Sequence, residues 1–473
     1  MASNRGPVTF SRGESGEREH SRGAGGLVTA LNAVVRRDEN AVWIASAESE
    51  EDLEVSKEQA PLEVEDLRIR FVEHDPESYD LMYNGLANPL LWFVQHGLYD
   101  LPYSPNLGAD TRRAWDEGYV PVNRRFADAV VQTAEGDDSP TILLHDYQLY
   151  MTPLFVRERL GDGAFISLFV HIPWPEPDLW RVLPAYIREG VLESLLSSDI
   201  VAFHTRRYAR AFIQTAVDTL GAEAEGGTVR YNGCEVWVRA YPISIDPGEF
   251  QELAQTEPVL EQEEYVRDLP GKLLLRVDRT DLSKNIVRGF LAYERMLERH
   301  PEMKGEVTFL AQLQPSRTDV PEYAAYMEAV GRTAEEINQR HGTESWRPIE
   351  LFMEDNFPRS VAAYKNFDVL LVNAVRDGMN LVAKESAVIN EKSGVLVLSE
   401  NAGAHEELGE HAITVNPYDV DGQADALYAA LEMPQDEREC RSRAVREEVE
   451  ANTIDDWVEA QIRDIEAYRE QHG

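Results

Sequence analysis

Short apolar runs of strand length alternate with amphipathic helical stretches from one end of this chain to the other, and that alternation restricts its fold more than any other feature. In the first half the runs are residues 41–45, 67–72, 141–144, 165–170, 200–203 and 236–241; in the second they are 273–277, 307–311, 349–352, 369–372 and 395–398. Strands separated by helical segments imply parallel sheets with helices on both faces. One sheet of so many strands is improbable, and 473 residues are too many for one ordinary core. The expectation is α/β: two doubly wound domains, 1–245 and 246–473, divided near the Pro-Ile-Ser-Ile-Asp-Pro run at 242–247.

Smaller features complete the outline. Residues from Pro434 onward read as helical, with Val445, Val449, Trp457, Ile462 and Ile465 on a helical period. The last of these helices can pack back on the N-terminal domain. The acid-rich stretches 48–65 and 252–264 read as a solvated helix or loop and as a surface helix with linker. Ser3 to Pro7 looks like the exit from a first strand, yet only Met1 and Ala2 precede it. Either that strand is very short, or the recorded start omits a few residues.

Charge narrows the function. With 85 acidic against 46 basic side chains the net charge is −39, which disfavours nucleic acid and anionic membranes as partners. No stretch approaches the roughly 20 apolar residues that span a bilayer. Two cysteines, Cys234 and Cys440, are too few for a disulfide framework, so a reducing cytoplasm is the expected location. An acid-rich, lysine-poor surface also suits high ionic strength. Such a chain must concentrate its cations locally to hold a phosphate, and two of its seven lysines, Lys284 and Lys384, lie inside the motifs below.

The most informative motif is Arg-Asp-Gly-Met-Asn-Leu-Val-Ala-Lys-Glu at 376–385, between the 369–372 strand and a helix start. A strand, a glycine turn and a helix N-terminus put backbone N–H groups beside an anionic or hydroxyl-rich ligand. Glu385, a turn into that helix, can accept hydrogen bonds from a ribose. Together they read as a sugar-nucleotide site. Gly-Ala-Gly-Gly at 23–26, opening a helix over 27–35, repeats the device in the first half, with Arg5 nearby. In Arg-Thr-Asp-Leu-Ser-Lys at 279–284, Arg279 and Lys284 project from one loop at a sheet's carboxyl edge, and Asp281 or Ser283 can cap the next helix. His145, Asp146 and His171 stand at successive strand ends. The histidines lack metal-ligand spacing, so polar strand ends fit a sugar better than a metal. Tyr83 and Trp92 are aromatics able to stack on a sugar face, and Arg317 is a further cation after a strand.

In order, these segments resemble the trehalose-6-phosphate synthase family, retaining glycosyltransferases of family 20, from Ser3 to about Tyr418. The resemblance implies a GT-B fold, two facing Rossmann-like domains with the active site in the cleft between them. It implies that Arg279 and Lys284 grip the donor diphosphate. Glu385 would hold the ribose, and Asp377 with Gly378, Met379, Asn380 and Leu381 the transferred glucose. Gly26 would approach the donor phosphates and His171 would contact the glucose near its 6-hydroxyl. Arg5, Tyr83, Trp92 and Arg317 would bind the phosphorylated acceptor, with Asp146 fixing an acceptor hydroxyl. The implied reaction is transfer of glucose from an NDP-glucose (UDP or GDP) to glucose 6-phosphate, giving α,α-trehalose 6-phosphate, with no metal and no cofactor. The implied partners are these small molecules and, as one option, further copies of the chain.

Two stretches depart from the family pattern. Where the family has Glu-Arg-(Leu/Ile)-Asp-Tyr-(Ser/Thr)-Lys-Gly, residues 278–285 read Asp-Arg-Thr-Asp-Leu-Ser-Lys-Asn. The stretch after Trp92 also differs from the usual version. The first bears on the nucleobase and the second on the acceptor. Relatives acting on glycerol 3-phosphate or a phosphorylated cyclitol share most of these motifs. A non-catalytic sugar-nucleotide-binding protein is the remaining alternative.

Overall fold

The computed structural model describes residues 1–13, 17–22, 26–35, 37–38, 40–58, 61–64 and 66–472. It divides into two units, Met1–Pro242 with Trp457–Gly473, and Ile243–Asp456. The cut follows Pro242, not residue 245. The C-terminal stretch leaves the second unit because the last helix, Ile454–His472, gives its aromatics to the first. Trp457 meets Phe169 edge-on at 5.4 Å, and Tyr468 lies against Phe165 and Trp237. Ile462 does not join that stripe and is exposed.

In the first unit, β1 (Val8–Arg12) and β2 (Arg18–Arg22) form an antiparallel hairpin. Then come β3 (Val42–Ser46), β4 (Leu62–Val64), β5 (Leu67–Val72), β6 (Thr141–His145), β7 (Phe165–Phe169), β8 (Ile200–Phe203), β9 (Glu223–Glu225), β10 (Thr228–Tyr231) and β11 (Cys234–Ala240). They pair in the orders β3-β5-β4 and β6-β7-β8-β11-β10-β9. One residue joins the two sets: Ala2 bridges in parallel to Ile44 of β3 and Leu144 of β6. The start of the chain thus occupies the strand position that Ser3 to Pro7 suggest, at a length of a single bridge. Strands β3, β7 and β8 are buried along their whole length, which explains their continuous apolar sequence. Strands β4, β9 and β10 pair antiparallel, a departure from the all-parallel expectation. They lie toward the sheet's outer edges and are short, and β9 is exposed throughout, so no apolar run marks it.

The acidic stretch after residue 48 is not simply solvated. Helix Glu50–Ser56 starts with a Ser49–Asp52 capping box, and Glu51 and Asp52 are both buried. Asp52 accepts from the Phe10 N–H at 2.8 Å, while Glu51 takes Arg12 and Arg18 at 2.7 and 2.9 Å, tying down the hairpin. Likewise Glu263, in helix Glu257–Arg267, is buried against Lys365 at 2.8 Å.

The second unit holds β12 (Lys272–Arg279), β13 (Val307–Gln314), β14 (Ile349–Met353), β15 (Val369–Val372), β16 (Val395–Ser399) and β17 (Ile413–Val415). All pair in parallel in the order β14-β13-β12-β15-β16-β17. Alternation along β12 feeds two cores. Leu273 and Leu275 join Val361, Ala383 and Val445 on one face, and Leu274 joins Phe290, Tyr293 and Phe309 on the other. Each fully buried leucine, valine or phenylalanine among them contributes roughly 1.5–3 kcal/mol. Among the described residues no helix is long and apolar enough to cross a membrane.

The charge balance yields a stability prediction. Self-repulsion at −39 weakens as the Debye length falls from about 10 Å at 0.1 M salt to about 3 Å at 1 M. The thermal midpoint should rise by at least about 3 °C over that range, the equivalent of about 1 kcal/mol for units of this size. A flat or falling midpoint by calorimetry in KCl would show that surface repulsion is not a major cost.

Candidate active site

In the second unit strand order reverses between β12 and β15, and a ligand crevice forms outside the carboxyl ends at such a point. Both donor motifs leave the sheet there. After β12, Asp281 accepts from the Ser283 N–H at 2.9 Å and caps a short turn. Asn285, at φ 60°, then turns the chain into helix α1 (Ile286–Arg299). After β15, residues 376–380 lead into helix α2 (Leu381–Ile389), whose first turn is capped by the Asn380 side chain accepting from Ala383 N–H at 3.2 Å.

The two loops meet through side chains. The Lys284 ammonium lies 2.5 Å from Asp377 Oδ2 and 4.0 Å from Asp278 Oδ1. Asn380 donates to the same Asp377 oxygen at 3.2 Å. Burial works against the Lys284 charge, but Asp377 and Asp278 outweigh it and raise its pKa. Burial pushes Asp278 up to about 6, opposed by Arg276 and Lys284. Glu385 is pushed up to about 7 by burial, with the Tyr364 hydroxyl donating to it at 3.2 Å. Arg279 is exposed at the end of β12. Residues 401–403 back the glycine turn: Asp377 N–H donates to Asn401, and Gly403 N–H donates to the Asp377 carbonyl at 3.1 Å. A Cβ at Gly403 would fall 1.9 Å from the Gly378 oxygen, so only glycine permits this approach.

Two cations have other duties than the sequence suggests. Lys384 turns inward, buried against the Ile243 carbonyl at 2.9 Å and Glu407 at 2.7 Å. Arg317 donates to Asp281 Oδ2 at 2.9 Å and to the Tyr323 hydroxyl, with a side chain only 8% exposed. It braces the turn after β12.

In the first unit the candidates also gather at strand ends. His145 closes β6, His171 follows β7 and His204 follows β8. Their rings form a row: His145 Nδ1 lies 3.0 Å from His171 Nε2, and His171 Nδ1 3.2 Å from His204 Nε2. Burial lowers His145 to about 3 and His171 well below its ordinary value, so both stay neutral. Both ring nitrogens of His171 are engaged within this row, so a sugar hydroxyl could take one only by displacing a neighbour. Asp146 has φ 75° and ψ 172°, a glycine-like backbone costing about 1–3 kcal/mol, and its Oδ1 accepts from the His171 N–H at 3.2 Å.

Arg5 follows the Ala2 bridge, exposed, 3.4 Å from both the Tyr83 hydroxyl and Glu48 Oε1. Tyr83 stacks on Tyr79, which bonds Asn4. Trp92 is only 6% exposed, stacked on His96 and beside Tyr147, so it is packed as a core aromatic. Gly26 begins a helix running to Val35, while residues 23–25 lie outside the described ones.

His204, the backing loop 401–403 and Tyr364 escaped the sequence reading. The histidines had one legible signal: each directly follows an apolar run. Among the described residues, one group could offer a metal three ligands, Glu294, Glu298 and His341. Glu294 already bonds Arg340 and His341, and no candidate site residue belongs to the group.

Residues 1–467 match the family model of glycosyltransferase family 20. The chain is 35% identical to the bifunctional trehalose-6-phosphate synthase/phosphatase of Thermoproteus tenax, over 97% of this chain and 62% of that protein, so it spans less than two thirds of that relative. It is 33% identical to the UDP-forming alpha,alpha-trehalose-phosphate synthase of Schizosaccharomyces pombe, covering all of this chain and 90% of that one. Among solved structures it resembles the E. coli trehalose-6-phosphate protein bound with UDP-2-fluoro glucose, with TM-score 0.84, 29% identity and 98% of each chain covered. It also resembles the UDP-forming synthase from Burkholderia xenovorans in complex with glucose-6-phosphate, with TM-score 0.82, 30% identity and coverage of 94% and 97%.

Arg317→Ala should destabilise the second unit by about 3–5 kcal/mol, because it leaves the fully buried Asp281 carboxylate without its guanidinium. Denaturant unfolding measures this. A loss below about 1 kcal/mol would mean that the pair does not brace the turn.

Proposed function

The chain belongs to glycosyltransferase family 20, and on that premise we propose that it transfers glucose from a nucleoside diphosphate glucose to glucose 6-phosphate. The products are α,α-trehalose 6-phosphate and the nucleoside diphosphate, with anomeric configuration retained. The observation that carries this reading is the meeting of Lys284 with Asp377 where two loops leave a parallel sheet at its point of reversal. A diphosphate placed there faces the ammonium of Lys284 and the guanidinium of Arg279, and Glu385 faces a ribose. Charge building on the leaving diphosphate is the main electrostatic demand of such a transfer, and fixed cations meet it without reorganising. The proposed chemistry therefore calls for no cofactor.

The first unit supplies the acceptor in this reading. Arg5 and Tyr83 offer a cation and a hydroxyl for a sugar phosphate, and Asp146 a carboxylate for a hydroxyl. Burial keeps His171 in its neutral form, with both ring nitrogens in the histidine row. A second acceptor class stays in view because Arg317 is bound to Asp281 and Trp92 is packed away. The exposed, unbridged thiols of Cys234 and Cys440 suit a reducing cytoplasm.

The test is a matrix of UDP- and GDP-glucose against glucose 6-phosphate, glycerol 3-phosphate and a cyclitol phosphate. UDP-glucose with glucose 6-phosphate should give a disaccharide phosphate. No product from either donor with any acceptor would overturn the assignment. Arg279→Ala should lower kcat by about 10²-fold, as expected for one lost transition-state charge contact.

The Glu385 carboxyl adds a pH dependence. Ribose hydroxyls donate to the carboxylate, so donor binding favours the ionised form and strengthens as pH rises through about 7. Between pH 6 and pH 8 the Kd for UDP-glucose should fall about tenfold. Glu385→Gln should flatten that profile in calorimetry; an unchanged profile would remove Glu385 from the donor site.

A further inference from the structure

A buried cation that the proposed reaction does not use grips the Lys284 loop from within the sheet. Arg276 stands inside β12 with no exposed surface. Its Nη2 donates to the Lys284 carbonyl at 3.2 Å and to the side-chain oxygen of Asn373. Its Nη1 reaches the Asn285 carbonyl at 3.5 Å, and its Nε lies 3.2 Å from Asp278. Helix α1 is shaped around this group: a Cβ on Gly289 would come within 2.8 Å of Nη1. A buried ion pair is often no better for stability than apolar side chains of the same size, so packing alone does not explain an arginine here.

The network continues to the second loop. Asn285, where the family pattern has glycine, adopts the left-handed conformation and uses its amide as well. Nδ2 donates to the Asn373 carbonyl at 2.9 Å and to the Pro417 carbonyl at 2.6 Å. Asn373, the first residue after β15, donates to Gln423 Oε1 at 2.6 Å, and Gln423 holds the carbonyls of Asn416 and Pro417. In the backbone, the Val375 N–H donates to the Ser283 carbonyl at 2.8 Å. The loop bearing Lys284 and the loop bearing Asp377 are therefore riveted together beneath the site by buried, mutually bonded polar groups.

We propose that Arg276, Asn285 and Asn373 are positioning residues for glucosyl transfer, which fix the two donor-binding loops in one register so that Lys284 meets the leaving diphosphate. This rests on the assignment of Lys284 and Asp377 to the donor site. Displacement of a catalytic group by about 1 Å can cost about 10²-fold in rate, so the rivet governs kcat more than acceptor binding.

Two variants test it. Asn285→Gly keeps the left-handed turn at no steric cost and removes the two amide bonds together with the one that Oδ1 accepts from Arg288 at 2.9 Å, so the fold is retained. Arg276→Met removes the charge at similar length. With UDP-glucose and glucose 6-phosphate, kcat should fall about tenfold in Asn285→Gly and about 10²-fold in Arg276→Met, with the acceptor KM within about twofold of the parent. Amide hydrogen exchange should accelerate in residues 282–286 and 375–381 together. Unchanged kcat in Asn285→Gly, or faster exchange in only one segment, would overturn the proposal. If Arg276→Met does not fold, Asn285→Gly decides alone. If the parent turns over no donor, the functional reading fails, and the exchange measurement still decides whether the rivet exists.

Discussion

A parallel sheet covered on both faces leaves its strand ends as the places where backbone and side chains can face a ligand. Both units of this chain obey that constraint. In the second unit, β12 and β15 deliver Lys284 and Asp377 to the point where strand order reverses. In the first unit, β6, β7 and β8 deliver His145, His171 and His204 in a row. Even Arg5 follows the rule, since the Ala2 bridge between β3 and β6 acts as a strand one residue long.

Electrostatics then sorts the few cations of a chain with net charge −39. Most basic groups near the donor loops are claimed by specific acids. Arg317 belongs to Asp281, Lys384 to Glu407, Lys365 to Glu263 and Arg276 to Asp278. At Lys284 two acids, Asp278 and Asp377, come from neighbouring strand ends, and their joint field keeps it charged despite burial. Such a group can answer new negative charge without waiting for solvent to reorganise.

Much of this was legible in the residues. The apolar runs located the parallel strands of both units except β17, because a strand buried on two faces has no other sequence, whereas β17 is three residues long and only partly buried. The glycine turn at 376–385 announced a strand-to-helix loop, while its Asn380 cap emerged only from the structure. The missing pieces share a physical cause. Strands β4, β9 and β10 are short, toward the edges and partly exposed, so their residues carry no apolar signature. Glu51 and Asp52 looked solvated because charge is usually exposed, yet the hairpin's arginines and a backbone N–H reward their burial.

Sequence by itself determined the two doubly wound layers, the loops that carry function and the types of side chain placed on them, since periodicity, glycine and capping residues act over a few neighbours. It could not assign each cation its partner. Arg276, Arg279, Lys284, Arg317 and Lys384 are all basic groups near a strand end or helix start, and local pattern treats them alike. Tertiary structure separated them, because an ion pair depends on distances set by residues far apart in the chain: 93 positions between Lys284 and Asp377, 36 between Arg317 and Asp281. Those distances exist only once the sheet has closed.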